Sequence, residues 1–310
     1  MINRRHIRIK VMQSAYALLL SENDKLDTQE RYLKDSIEWL HNLYILNYQL
    51  LVALQGRAVK YHKASKENFI QSDSDVVNSS NFVNNKLLLQ IKETIQLQDY
   101  SSIKTNWNEH QEIVESIWKK ILKNNEFSTY MSLSEPNYKD DKAILIAVFK
   151  KIIAPDDQLA TLYEGEVISW VDDIPFVNTW ILNNLKSFNL TKEFTPDRLY
   201  KDKEDKQFVL DLFRKTVLNF AKYEKDIDAS TPNWDSERIT KIDKLLIVMG
   251  IAEFFHFPSI PTKVSINEYI EIAKDYTTPK SSFFINGVLD KLLEDYNKQK
   301  SIQKIGRGLL

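Results

Sequence analysis

The chain has 310 residues, 43% of them hydrophobic and 27% charged, with a formal net charge of -1. Such a length carries one large or two ordinary domains with real cores, and near-neutrality excludes a protein that coats nucleic acid over its whole surface. The absence of cysteine excludes disulfides, thiol catalysis and cysteine metal ligands and fits a reducing cytoplasm, while only 6 glycines and 8 prolines leave little room for Gly-rich phosphate cradles.

An all-α chain is therefore expected, and no alternating strand pattern competes with it. The opening, NRRHIRIKVMQSAYALLLSEND (3–24), admits a secretory signal, a membrane anchor or a basic arm on a packed helix. Ala15-Tyr16-Ala17 imitates a cleavage site, but Gln13 and Ser14 interrupt the apolar run. The polar residues at 21–24 arrive well before the ~20 apolar residues that a membrane span needs. An amphipathic helix remains. Ile7, Val11, Ala15 and Leu18 form its buried stripe, and Arg5, Arg8, Met12 and Tyr16 form a neighbouring one, which places the arginines beside the packed face. Guanidinium groups grip phosphates and a tyrosine ring stacks on an unpaired base, so this second stripe suits single-stranded RNA. The plain alternative is a solvated basic end whose arginines pair with nearby acids.

Helical periodicity then predicts a long helix over 29–63, a polar loop over 65–80, and helices near 82–98, 108–124, 139–153, 158–170 and 174–188. The segment DKAILIAVFKK (141–151) aligns with DKQFVLDLFRK (205–215) at an offset of 64 residues, which also brings Trp170 onto Trp234; Trp107 stands 63 residues before Trp170. This spacing reads as duplicated helical units. The acid pairs Asp140-Asp141 and Asp172-Asp173 read as helix N-terminal charges.

From 205 onward, Phe208, Leu212 and Val217 mark one helix. Residues 234–237 cap the next, which buries Ile239, Ile242, Leu245, Leu246 and Met249. FPSIP (257–261) forces a turn. Ser265 and Glu268 form a capping box, and Thr278 before Pro279 starts a last helix with Phe284, Val288, Leu289 and Leu292 in its core. Gly287 in that helix is expected to admit the close approach of another backbone. The final residues carry Lys298, Lys300, Lys304 and Arg307 with no acid.

No dinucleotide, phosphate-loop, hydrolase-elbow or zincin motif is present, and His6, His41, His62, His110 and His256 have no ligand spacing. A non-catalytic protein without metal or cofactor is expected.

Two separated blocks resemble the family of the bacterial transcription antitermination factor NusB. At the front stand Arg4, Arg5, Arg8, Gln13 and Tyr16; at the back stand IPTKVSINEYIEIAKDY and FFINGVLDKL. The resemblance covers roughly 1–24 and 205–297, leaves 25–204 as an inserted helical region, and leaves 298–310 as a basic tail. It implies an all-helical bundle in which the first helix packs with the C-terminal helices. It also implies binding of boxA RNA together with the small-subunit ribosomal protein that doubles as NusE, on an elongating RNA polymerase. By matched position, the RNA face would comprise Arg4, Arg5, Arg8, Gln13, Tyr16, Lys263, Lys280 and Phe284, and Glu237 and Asp243 would face the basic protein partner. Lys280 departs from the family, where an acid is common. Two rival readings are a protein adaptor with incidental basic ends, and the RNA-binding domain type that precedes ribosomal RNA cytosine methyltransferases, here without a catalytic sheet.

Overall fold

The computed structural model describes residues 1–21, 25–98, 100, 103–189, 191–192, 194–231 and 239–309, except 68–79, and the side chains of all of these but 65–67. Its helices in chain order are α1 (Arg4–Leu20), α2 (Leu26–Glu67), α3 (Lys86–Leu97), α4 (Gln111–Leu122), α5 (Asn125–Met131), α6 (Tyr138–Val148), α7 (Asp157–Glu166), α8 (Trp170–Ser187), α9 (Lys203–Leu218), α10 (Phe220–Ser230), α11 (Lys241–His256), α12 (Thr262–Tyr276) and α13 (Ser281–Lys298). A π-helical turn, Phe149–Ile153, continues α6, and a 3-10 turn, Gly306–Leu309, lies near the end. The all-helical expectation holds.

The chain divides into two compact units, one built from Met1–Ile37 with Tyr200–Leu310, the other from Glu38–Leu199. In the first unit, α11 is the central helix: Leu245 through Ala252 are all buried, and α1, α9, α10, α12 and α13 pack around it. A helix apolar on every side is what such a surrounded position demands. The start of α2 belongs here because Glu30 accepts from Arg214 Nε at 2.7 Å and from Lys34 Nζ at 2.8 Å. Local caps fix the helix starts. The Asn3 side chain accepts from His6 N, that of Asp202 from Asp205 N, and that of Thr240 from Asp243 N, each satisfying a donor that the helix leaves open.

In the second unit, the indoles of Trp107 and Trp170 donate to the backbone oxygens of Leu46 and Trp39, at 3.0 and 2.8 Å. Tyr44 and Tyr48 both donate to Asn184 Oδ1, and the Tyr44 ring stacks on Trp180 with centroids 4.1 Å apart. The Asp141 carboxylate accepts from Tyr130 OH and from Lys86 N, tying α6 to the start of α3. At the 64-residue offset, Asp141 and Asp205, Ile144 and Phe208, Leu145 and Val209, Val148 and Leu212, and Phe149 and Phe213 are buried in both segments.

Several local expectations need correction. Helix α12 starts at Thr262, directly after Pro261, so Ser265 lies inside it and is buried rather than capping. Its Oγ instead donates to Glu253 at 2.7 Å. A Cβ on Gly287 would meet nothing within 4 Å, so no backbone approaches closely there; one on Gly250 would meet the Leu289 side chain, with Cδ2 at 2.8 Å. Helix α5 was not foreseen, being too short for periodicity to show; the Asn124 side chain starts it by accepting from Phe127 N. Leu18 is half-exposed where burial was expected, and the cap proposed at 234–237 lies outside the described residues.

Candidate nucleic-acid interface

The first turn of α1 carries Arg4 and Arg5 and no acid. Two cations at the positive end of a helix dipole are electrostatically unfavourable unless something negative sits opposite. Carboxylates from elsewhere in the chain do so. Arg4 Nε donates to Asp205 Oδ1 at 2.8 Å, with Glu204 at 3.9 Å. Arg5 donates through Nε and Nη2 to Glu268, both at 2.9 Å, and this pairing raises the Arg5 pKa. Each guanidinium has five N–H donors, so these contacts leave several for a further anion. The Arg4 and Arg5 side chains remain 34% and 45% exposed.

Arg8 departs from the expected arrangement. Its side chain is only 3% exposed, and it forms a two-point pair with Glu253 at 2.6 and 2.9 Å. Glu253, wholly buried, also accepts from Tyr269 OH at 2.6 Å and from Ser265. Burial opposes charge on both partners, but their attraction more than offsets it: the Arg8 pKa is raised and that of Glu253 lowered. The Phe208 ring lies against both Arg4 and Arg8, with their guanidinium carbons 5.2 and 5.4 Å from its centroid. Arg8 thus sits within the packed face, not beside it, because a partner for its charge was available inside. Its Nε and Nη2 bond Glu253, its Nη1 lies 3.6 Å from Glu268, and its burial holds it back from solvent.

Arg4 and Arg5 border an open groove of about 990 Å³ whose walls include Lys201, Ile260, Val264 and Arg307. Arg8 reaches the same groove from its buried position, but Gln13, Tyr16, Lys263, Lys280 and Phe284 are not among its walls. Gln13 and Tyr16 are half-buried further along α1. Lys263 is exposed in the first turn of α12, Lys280 is exposed directly before α13, and Phe284 is half-buried rather than core, with Phe283 beside it 81% exposed. Along α11, Glu253 holds Arg8 while Asp243 holds Ser281, next to Lys280. Ten residues of helix separate these anchors by ~15 Å, so the two halves of the expected face lie toward opposite ends of α11.

The expected partner-facing acids also need revision. Asp243 is 4% exposed, with Oδ2 accepting from Ser281 Oγ at 3.0 Å, so it presents no charge to a protein surface. Glu237 lies outside the described residues. Lys201 and Arg307 went unrecognised as groove residues; the only sequence signal was that Arg307 belongs to an acid-free basic run. Among the described residues, no cluster of three or more His, Asp or Glu could hold a metal ion, and no helix is long and apolar enough to cross a membrane.

Residues 177–294 match the model of the NusB family. The chain is similar to a protein of Salinibacter ruber named transcription antitermination protein NusB, at 40% identity over 112 residues, 36% of this chain and 70% of that protein. It is 36% identical over 121 residues to one of the same name from Chloroherpeton thalassium, covering 39% of this chain and 57% of the relative. A third, from Natranaerobius thermophilus, is 36% identical over 94 residues, 68% of its length. No solved structure matches.

Proposed function

The chain belongs to the NusB family, and from that premise we propose that it acts in transcription antitermination, binding single-stranded boxA-like RNA together with the small-subunit ribosomal protein that serves as NusE. The observation that carries this reading is the placement of Arg4 and Arg5. Both stand at the positive end of α1, at an open groove, held in place by a helix whose next arginine is locked inside. Keeping cations at that end costs about 0.3–1 kcal/mol each, a cost that an anionic ligand reverses.

In this reading Arg4 and Arg5 grip backbone phosphates with the donors left over from Asp205 and Glu268. Tyr16 offers a ring for stacking and Gln13 a base-edge donor and acceptor; Lys263, Lys280 and Phe284 extend the path. Arg8 positions the clamp without touching RNA. Glu237 supplies acidic character toward the ribosomal protein, and the joined complex works on an elongating RNA polymerase. Binding, not bond chemistry, is the activity. Two ligands on one scaffold raise each other's effective concentration, which stabilises an assembly whose separate contacts are modest.

The test is a fluorescence titration with a labelled boxA-like single strand, with and without the ribosomal protein. Cooperative assembly requires tighter RNA binding when the protein is present. An affinity unchanged by the protein would contradict it.

A further inference from the structure

The arginines that the sequence brings forward already have carboxylate partners in the folded chain. Arg4 faces Asp205 and Glu204, Arg5 faces Glu268, and Arg8 faces Glu253. Two other cations border the same groove, Lys201 and Arg307, and neither has a carboxylate within ion-pair distance among the described residues. The groove's cations without an ion pair thus lie two residues before α9 and in the chain's last segment, in a groove whose walls also carry Asp202, Glu204, Asp205 and Glu268.

That last segment is docked in a definite place. Lys304 Nζ donates to the backbone oxygens of Glu253 and Phe257, at 3.2 and 3.0 Å, adding a second donor to carbonyls at the end of α11 that also accept from Phe257 N and Ile260 N. Ile305 N donates to Pro258 O at 3.1 Å. Gly308 then lies so close to the same turn that an added Cβ would fall 1.9 Å from Pro258 O. The residue whose side chain locks Arg8 thus offers its backbone to Lys304. Glu253 is a shared anchor, and the position of Arg307 relative to Arg4 and Arg5 follows from it.

We propose that Arg307, with Lys201, forms a second wall of cationic contacts in this groove and takes the phosphodiester backbone of single-stranded RNA against Arg4 and Arg5. This rests on the RNA-binding reading above and adds to it that the docked C-terminal segment is part of the binding site. An unpaired guanidinium meets a phosphate without first giving up a protein carboxylate, so its contribution exceeds that of a paired one. The side chain is exposed and supports no core, so substituting it leaves the fold intact.

The experiment titrates the labelled boxA-like strand into the full chain and into Arg307→Ala, Arg307→Glu, Gly308→Ala and Arg5→Ala, at several salt concentrations. Loss of one phosphate contact reduces the log-log salt slope by about 0.7. Arg307→Ala is expected to weaken binding about fivefold with that change in slope, and Arg307→Glu to weaken it further. Gly308→Ala retains the charge but pushes the segment off Pro258, and is expected to match Arg307→Ala; a variant carrying both Arg307→Ala and Gly308→Ala should lose no more than either alone. If both Arg307 variants stay within twofold of the parent while Arg5→Ala loses affinity, this inference is overturned and the RNA-binding reading stands. If Gly308→Ala binds like the parent while Arg307→Ala does not, the docked geometry is wrong. If none of the variants alters binding, the RNA-binding reading itself fails.

Discussion

Arg8 and Glu253 stand 245 positions apart in the chain and meet in a fully buried two-point ion pair. Removing one member of such a pair strands a charge that water cannot reach, which costs about 3–5 kcal/mol. Arg8→Ala is expected to lower the unfolding free energy by that amount in urea titrations. A loss below about 1 kcal/mol would show that the pair does not join α1 to α11.

The same pair sets an acid limit. Burial alone would raise the Glu253 pKa, but Arg8, Tyr269 and Ser265 bring it below its ordinary value of 4.5. A carboxyl with a depressed folded pKa contributes stability that is complete above the unfolded value and lost as pH falls through the folded one. Glu30, lowered by Arg214 and Lys34, acts in the same direction. The urea midpoint is expected to hold between pH 7 and pH 5 and to fall steadily below about 4.5. A midpoint unchanged at pH 3 would contradict this.

Lys304 predicts a further rise of stability with pH on the alkaline side. Burial pushes its ammonium pKa from 10.5 down to about 8. Between those values the unfolded chain holds the extra proton, so stability rises with pH. The midpoint should increase slightly from pH 7.5 to pH 9.5, and Lys304→Met should flatten the rise. The window closes near pH 10, where buried tyrosines with raised pKa values, such as Tyr269 and Tyr163, begin to act the other way.

Two glycines separate conformational cost from packing. Gly287 lies in α13 with open space around it, so Gly287→Ala should stabilise by about 0.5–1 kcal/mol. Gly250 faces Leu289 in the core, and Gly250→Ala should destabilise by about 1–3 kcal/mol. Thermal unfolding of the two variants gives the signs directly, and equal effects would contradict the packing described for α11 and α13.

Much of this was legible in the sequence. Periodicity located most helices, because buried faces repeat every three or four residues, and FPSIP marked the turn between α11 and α12. What escaped were relationships that no local pattern encodes. Arg8 reads like Arg5 along the helix, and only the approach of Glu253 from the far end makes one structural and leaves the other at the surface. Asp243 reads as an acidic face until Ser281 closes over it. Ser265 and Glu268 have capping-box spacing, yet Pro261 already starts that helix and both side chains answer arginines or their partners. Arg307 could be seen only as part of a charged tail, since its place depends on the fit of Gly308 against Pro258.

The most direct test of the RNA-binding account is the salt dependence of affinity for the labelled boxA-like strand, measured for the parent and for the Arg4→Ala, Arg5→Ala double variant. Three or four neutralised phosphates give a log-log slope near -2 to -3, at about -0.7 per contact on a single strand. The double variant should bind at least about tenfold more weakly, with a slope shallower by about 1.4, and its urea midpoint should fall somewhat because Arg4→Ala leaves the buried Asp205 without its cation, so binding is compared under conditions where both proteins are folded. A folded double variant that loses less than about threefold in affinity at an unchanged slope would contradict the account.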